Sequence, residues 1–325
     1  MRDRDVDGLL ALQCASGAFP STVEGPEGHV ADETCFVTAQ VALILASLAR
    51  QGARACETQP VALRRALARA LNFVETCAVP EVPGAFSFYP PDGTARLAIR
   101  LPADADDTAL AWMALMAGGR RSPQEAATVL ARLFAGHGVR APRRGDPPFV
   151  RAPMVRTWLE AEAPANPVDL IVNLNVLASL AAAGVTPDAH DGFAARLSAR
   201  LAAALPQDPP SLSQLRLLAP FYAHPRELVE ALARAVDAGV SLLTPALERI
   251  APHAATALHE DDQPLYCNAH GRPLWRSPAL QAARRCRDGW WRSASTASRS
   301  CFSCCSPILA RPCSSRWCLA RSCGR

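Results

Sequence analysis

Residues 101–117 read LPADADDTALAWMALMA. From Thr108 onward the segment is apolar on every side, and a helix apolar all round is one that protein surrounds. Three aspartates, Asp104, Asp106 and Asp107, stand at its entrance. A carboxylate in apolar surroundings loses hydration, and carboxylates close together resist ionising at once; both effects favour the protonated form. On an ideal helix Asp106 shares a face with Leu110, Met113 and Ala117, whereas Asp107 leans towards Ala111 and Ala114. Asp106 is therefore the acid most committed to an apolar stripe, with Asp104 and Asp107, three apart, able to approach each other. The simpler role for such aspartates is capping, because they accept from free N–H groups and oppose the helix dipole. Position and spacing alone favour capping somewhat over catalysis.

The surrounding chain alternates two kinds of helix. Residues 36–48, 108–117 and 168–183 are apolar nearly all round, whereas the segments beginning at Val61, Pro123 and Pro187 carry charge on one face. Wholly buried and half-wet helices in alternation suit two concentric layers. Thr38-Ala39 and Thr108-Ala109 hold similar places about 70 residues apart, a degenerate repeat of helical hairpins. Before each comes a glycine-aromatic turn, Gln13-x3-Gly17-x-Phe19 and Gly84-Ala-Phe86. Capping residues followed by proline predict helix starts at Ser122-Pro123, Asn166-Pro167, Thr186-Pro187, Thr244-Pro245 and Ser277-Pro278, with another near Pro225. Asp32 stands where a cap is expected ahead of Phe36. No alternating segment of strand length is apparent. The expected fold is all-α: a single-domain α/α toroid, a double layer of helical hairpins, over residues 1–283. An irregular helical domain fits the same pattern nearly as well.

Composition agrees with a folded body: half the residues are hydrophobic and a fifth charged. The chain has no lysine. Residues 284–325 hold nine arginines against the single acid Asp288, and seven of the twelve cysteines. The excess positive charge therefore sits there, and residues 1–283 are slightly acidic, which is not the footprint of a nucleic-acid binder. These last residues lack periodicity and read as a non-globular tail, best explained as out-of-frame translation. Zinc is disfavoured, because the Cys-x-x-Cys spacing occurs once and no histidine follows His270. The amino terminus lacks the apolar run of a signal peptide and the stretch 36–49 is too short to span a bilayer, so a cytoplasmic protein is expected.

Other polar positions read as structural. Asp169, Asn173 and Asn175 lie in an apolar helix, where hydrogen bonding to neighbouring helix ends is favoured over cavity lining. His259 to Asp262 reads as a solvated loop, although Glu260 and Asp262 are the acids a carbohydrate-active α/α barrel would use. Cys267 and His270 make a weak metal pair. No metal site, cofactor fingerprint or phosphate loop is recognised.

Asp104-Ala-Asp106-Asp107-Thr108-Ala109 resembles the Asp-x-Asp-Asp-Thr/Ser-Ala motif of class II terpene cyclases, the group that includes squalene–hopene cyclases. The Gln13 turn resembles the Gln/Trp turn repeat of that superfamily, with Phe19 where tryptophan is usual. The wider superfamily, which includes protein prenyltransferase β subunits, is built on α/α toroids. The resemblance implies an isomerase-type cyclisation of an isoprenoid, or another apolar small molecule, begun by proton transfer from Asp106 with Asp104 and Asp107 holding the proton in place. Aromatic side chains then stabilise a carbocation, with Phe86, Phe88, Tyr89 and Trp112 the candidates by position. Familiar members place the site between two helical domains and this chain has room for one. A second helical subunit, a peripheral membrane contact, and a non-catalytic isoprenoid- or lipid-binding role stay open.

Overall fold

The structure is a computed structural model, and it describes residues 3–25, 28–52, 59–92, 101–160, 166–185, 192–255, 264–267 and 272–297. They are mostly helical. Five helices occupy the interior: α2 (Cys35–Gly52), α4 (Ala105–Ala117), α6 (Leu170–Ala182), α9 (Pro225–Asp237) and α11 (Pro278–Ala297). Each of the first three packs on the next in that order, and α11 packs back on α2. Between α9 and α11 the junction is polar: Glu227 accepts from Arg284 at 2.6 Å and Glu230 from Arg287 at 2.8 Å.

The outer helices are α1 (Asp3–Ala11) on α11, α3 (Gln59–Thr76) on α2, α5 (Pro123–Gly136) on α4 and α6, α7 (Phe193–Ala204) on α6, and α10 (Thr244–Ala255) on α9. A short helix, α8 (Leu212–Leu218), precedes α9. The two kinds of helix differ as their sequences do. All residues from Ala105 to Leu115 of α4 and from Leu170 to Leu180 of α6 are buried. In α5 burial recurs at Ala126, Leu130, Leu133 and Phe134, a single stripe. No described helix is long and apolar enough to cross a membrane.

Three of the inner helices, α2, α4 and α6, share one way of starting. Asp104, in extended backbone, accepts from the N–H groups of Asp106 and Asp107 at 2.6 and 3.1 Å; Asp169 does the same for Ile171 and Val172 at 2.7 and 3.1 Å. Four residues past each cap, a polar side chain holds the preceding turn. Thr108 Oγ1 accepts from Phe86 N–H at 2.9 Å, and Asn173 brackets the backbone of Val155 at 2.7 and 2.8 Å. In α2 the cap is Thr34, and Thr38 accepts from Phe19 N–H at 3.2 Å. The two glycine-aromatic turns need their glycines. Gly17 and Gly84 have φ of 98° and 87°, and a Cβ there would lie 2.3 Å from the Arg69 carbonyl oxygen and Val129 Cγ1 respectively.

Several expectations need correction. Strands are present. β1 (Pro20–Gly25) and β2 (Gly28–Glu33) form an antiparallel hairpin, joined through β6 (Pro273–Arg276) to β5 (Tyr266–Cys267) in the order β2-β1-β6-β5. A second ladder pairs β3 (Phe86–Ser87) with β4 (Ala103–Asp104). Only Ser21 and Val23 are buried in β1 and only Asp32 in β2, so the alternation is shallow. The partner of β1 comes from the far end of the chain, through Thr22↔Arg276 and Val23↔Trp275. Asp32 is therefore a strand residue, not the cap of α2. Helix α6 starts at Leu170, not 167, because the Asp169 carboxylate captures its first N–H groups while Asn166 bonds Trp158 backbone instead. Thr186-Pro187 lies outside the described residues. The boundary drawn at residue 283 falls inside α11, where Arg284 and Cys286 are buried; residues 298–325 lie outside the described residues.

Candidate active site

Asp104, Asp106 and Asp107 all border a cavity of about 400 Å³. Helix α4 delivers them there because the cap places its first turn at the cavity edge, and the wholly apolar remainder of the helix has no water-facing side to turn them towards. Eight aromatic side chains complete the wall, including all three tyrosines of the chain: Tyr89, Tyr222 and Tyr266. Phe36 meets Tyr266 edge-to-face at 4.8 Å and Tyr222 at 6.0 Å. Phe88 meets Tyr89 and Trp275, and Trp158 meets Phe221, in the same manner. Such a wall is apolar in bulk and presents negative π faces.

The three acids are not equivalent. Asp104 is occupied by capping, so both proposed roles of the sequence, cap and cavity acid, fall partly on one residue. Burial pushes its carboxyl well above the usual range, and the neighbouring Asp106 charge adds to this. Burial, then Asp104 and Asp106, push Asp107 well above it too; its Oδ1 has no hydrogen-bond partner among the described residues. Asp106 differs because side chains donate to both of its oxygens. Asn175 Nδ2 donates to Oδ1 at 2.6 Å and the Tyr222 hydroxyl donates to Oδ2. Burial raises its pKa to about 6, against the lowering effect of Tyr222, Asn175 and the Arg234 charge. Of the trio, Asp106 is the one whose conjugate base side-chain donors and a nearby guanidinium charge support.

The support extends well behind it. Arg234 Nε donates to Asn175 Oδ1 at 2.9 Å. Guanidinium only donates, so this bond fixes the amide with its NH2 towards Asp106. Arg234 also reaches Gln40 at 3.3 Å; Gln40 donates to the Tyr266 hydroxyl at 3.2 Å, which donates to Glu227 at 3.3 Å. Glu227 is paired with the fully buried Arg284. A polar chain thus runs from the acid through α6 and α9 to α11. Burial raises Asp169 to about 8, against its backbone hydrogen bonds, and the nearby Asp106 charge adds to the rise.

Of the four aromatic candidates, Phe88 and Tyr89 line the cavity and Phe86 and Trp112 do not. Phe86 is in the hydrophobic core, its backbone fixed by Thr108. Trp112, six residues beyond Asp106, points elsewhere around α4 and donates to the Gly84 carbonyl at 2.7 Å. Asn173 makes the structural bonds expected of a buried amide, whereas Asn175 reaches the acid. Tyr222, Tyr266, Trp158, Trp275 and Arg234 were missed. The rarity of tyrosine was one available signal; two amides in an apolar helix were another. Another carboxylate, Asp32, stands behind the wall: its Oδ2 accepts from the Tyr89 hydroxyl at 2.8 Å and Trp275 Nε1 at 2.9 Å. Glu260, Asp262 and His270 lie outside the described residues. Among the described residues no group of three or more His, Cys, Asp or Glu is arranged to hold a metal ion.

No protein-family model matches the chain, and no curated protein matches it. Among solved structures, an apo form of a variant of the type II terpene cyclase MstE from Scytonema is similar over 89% of this chain and 95% of that one, at 13% identity and a TM-score of 0.42. That likeness is too slight to carry an argument about chemistry.

Proposed function

We propose that this protein is a terpene-cyclase-like enzyme on an α/α toroid, and that Asp106 begins cyclisation of an isoprenoid as general acid. The observation that carries the reading is a buried carboxyl on an aromatic-walled cavity, with donors from Asn175 and Tyr222 set to hold the carboxylate it becomes. An alkene is a weak base, so an acid that protonates it must leave a stabilised anion behind. In the proposed step the Asp106 O–H bond breaks and a C–H bond forms at the alkene. The electron pair left on the carboxylate is met by the Asn175 N–H and the Tyr222 O–H. The carbocation then moves along rings whose faces attract it. A proton lost from the final cation restores neutrality, and the carboxylate regains one from solvent.

A cavity near the lower end of the roughly 300–1,000 Å³ usual for small-molecule sites suits one folded hydrocarbon chain. Its apolar wall argues against the carbohydrate reading, which needs polar groups along a cleft. The α/α toroid rests on the succession α2, α4, α6, α9, α11 and the return of α11 to α2. The test is incubation of the purified chain with linear C15 to C30 isoprenoids, as alcohols, diphosphates and terminal epoxides, followed by mass spectrometry of extracted products. Cyclised product that disappears in Asp106→Asn supports the reading. Tight retention of a linear isoprenoid with no turnover by any substrate would replace it with the binding role.

A further inference from the structure

Asp32 is fully buried at the end of β2, and none of the roles already described uses it. Thr34 caps α2 in its place. Among the described residues no ion pair reaches it, and its Oδ1 is buried without a partner. A buried carboxyl with an orphan oxygen is costly, so its retention calls for a reason. Its two side-chain donors, the Tyr89 hydroxyl and the Trp275 indole N–H, both belong to rings on the cavity wall. Phe88 is wedged edge-to-face against both rings, with centroids at 4.9 and 5.8 Å. The three rings and the carboxylate therefore form one fixed unit.

We propose that Asp32 is a positioning residue that makes the Tyr89–Phe88–Trp275 wall a cation-recognition surface, selective for a tertiary carbocation or an alkyl quaternary ammonium over a neutral hydrocarbon of the same shape. Two effects act together. Donation of O–H and N–H to a carboxylate enriches both rings in electrons, which strengthens their attraction for a cation, tryptophan most of all. The carboxylate also lies one ring away from an apolar-walled cavity, where its field is screened less than in bulk water. The inference rests on the reading of the cavity as a cation-guiding chamber, but cation preference is measurable without turnover.

The experiment compares octyltrimethylammonium with its neutral isostere 2,2-dimethyldecane, each displacing the neutral dye Nile red from the purified full chain. The expected result is tighter binding of the cation by the native protein. Asp32→Asn, which keeps an acceptor but loses the charge, should weaken the cation about tenfold, within the ~0.5–2 kcal/mol range of such contacts, and leave the neutral ligand unmoved. If Asp32→Asn does not fold, Tyr89→Phe keeps the ring and removes its donor; it should lower the cation preference severalfold. A native protein that binds both ligands alike, or variants that lose both equally, would overturn the inference. Cation preference without cyclised product leaves this inference standing and removes the proposed activity; cyclised product without cation preference does the reverse.

Discussion

Replacing Asp106 by asparagine should stabilise the fold at alkaline pH relative to acid pH. Burial raises the folded carboxyl to about 6 against 3.8 for a free aspartate. A raised folded pKa means that its contribution to stability is fully present below about 3.8 and is lost as pH rises through about 6. At ~1.4 kcal/mol per pH unit, ionised Asp106 costs the native state roughly 3 kcal/mol at pH 8. Asparagine has no such titration. It keeps an oxygen for the Asn175 N–H and offers an N–H to the Tyr222 oxygen, so the first bond survives unchanged and the second survives with its direction reversed. Asp104 and Asp107 also ionise more easily once the neighbouring charge is gone, which works in the same direction. Urea unfolding of both proteins at pH 4 and pH 8 should show the variant gaining about 2–3 kcal/mol on the native protein between the two. A stability gap that is constant over this range, or that widens in favour of the native protein as pH rises, would refute the claim that this carboxyl is buried at the expense of its charge.

Product formation should fall as pH rises past about 6, because the acid form of Asp106 disappears; a rate that climbs through that range would exclude it as the acid. Tyr222→Phe removes a donor that lowers the Asp106 pKa, so the midpoint of the pH–rate profile should move upward, as followed by initial rates across pH. Arg284→Met leaves Glu227 buried without its partner and should cost about 3–5 kcal/mol in urea unfolding. A neutral outcome would mean that this part of α11 is not integrated in the body. Gly84→Ala should cost about 1–3 kcal/mol, since φ is 87° and the added carbon meets Val129, and thermal denaturation reads this directly.

The inner helices were legible because burial on all sides leaves a mark: Ala109 to Leu115 has no polar face to misread. The acidic trio was legible for the same reason, since carboxyls beside such a segment must enter its interior. What supports Asp106 was not. Tyr222 is 116 residues away and Arg234 farther still, and nothing local marks either as belonging beside the acid. The strands escaped because β1 and β2 bury few residues, and their partners arrive from residues 266–276. Phe86 is a candidate by position, but the Thr108 bond to its backbone holds it in the core. Arg284 looked like the start of a tail by composition; its fit against Glu227 is visible only when α9 and α11 come together.

The most direct measurement is turnover in heavy water. If Asp106 delivers the initiating proton, its exchangeable hydrogen becomes deuterium, and the cyclised product should carry one deuterium at the carbon that was the terminal alkene. Product that stays unlabelled there, or labelled product formed as fast by Asp106→Asn, would contradict the account.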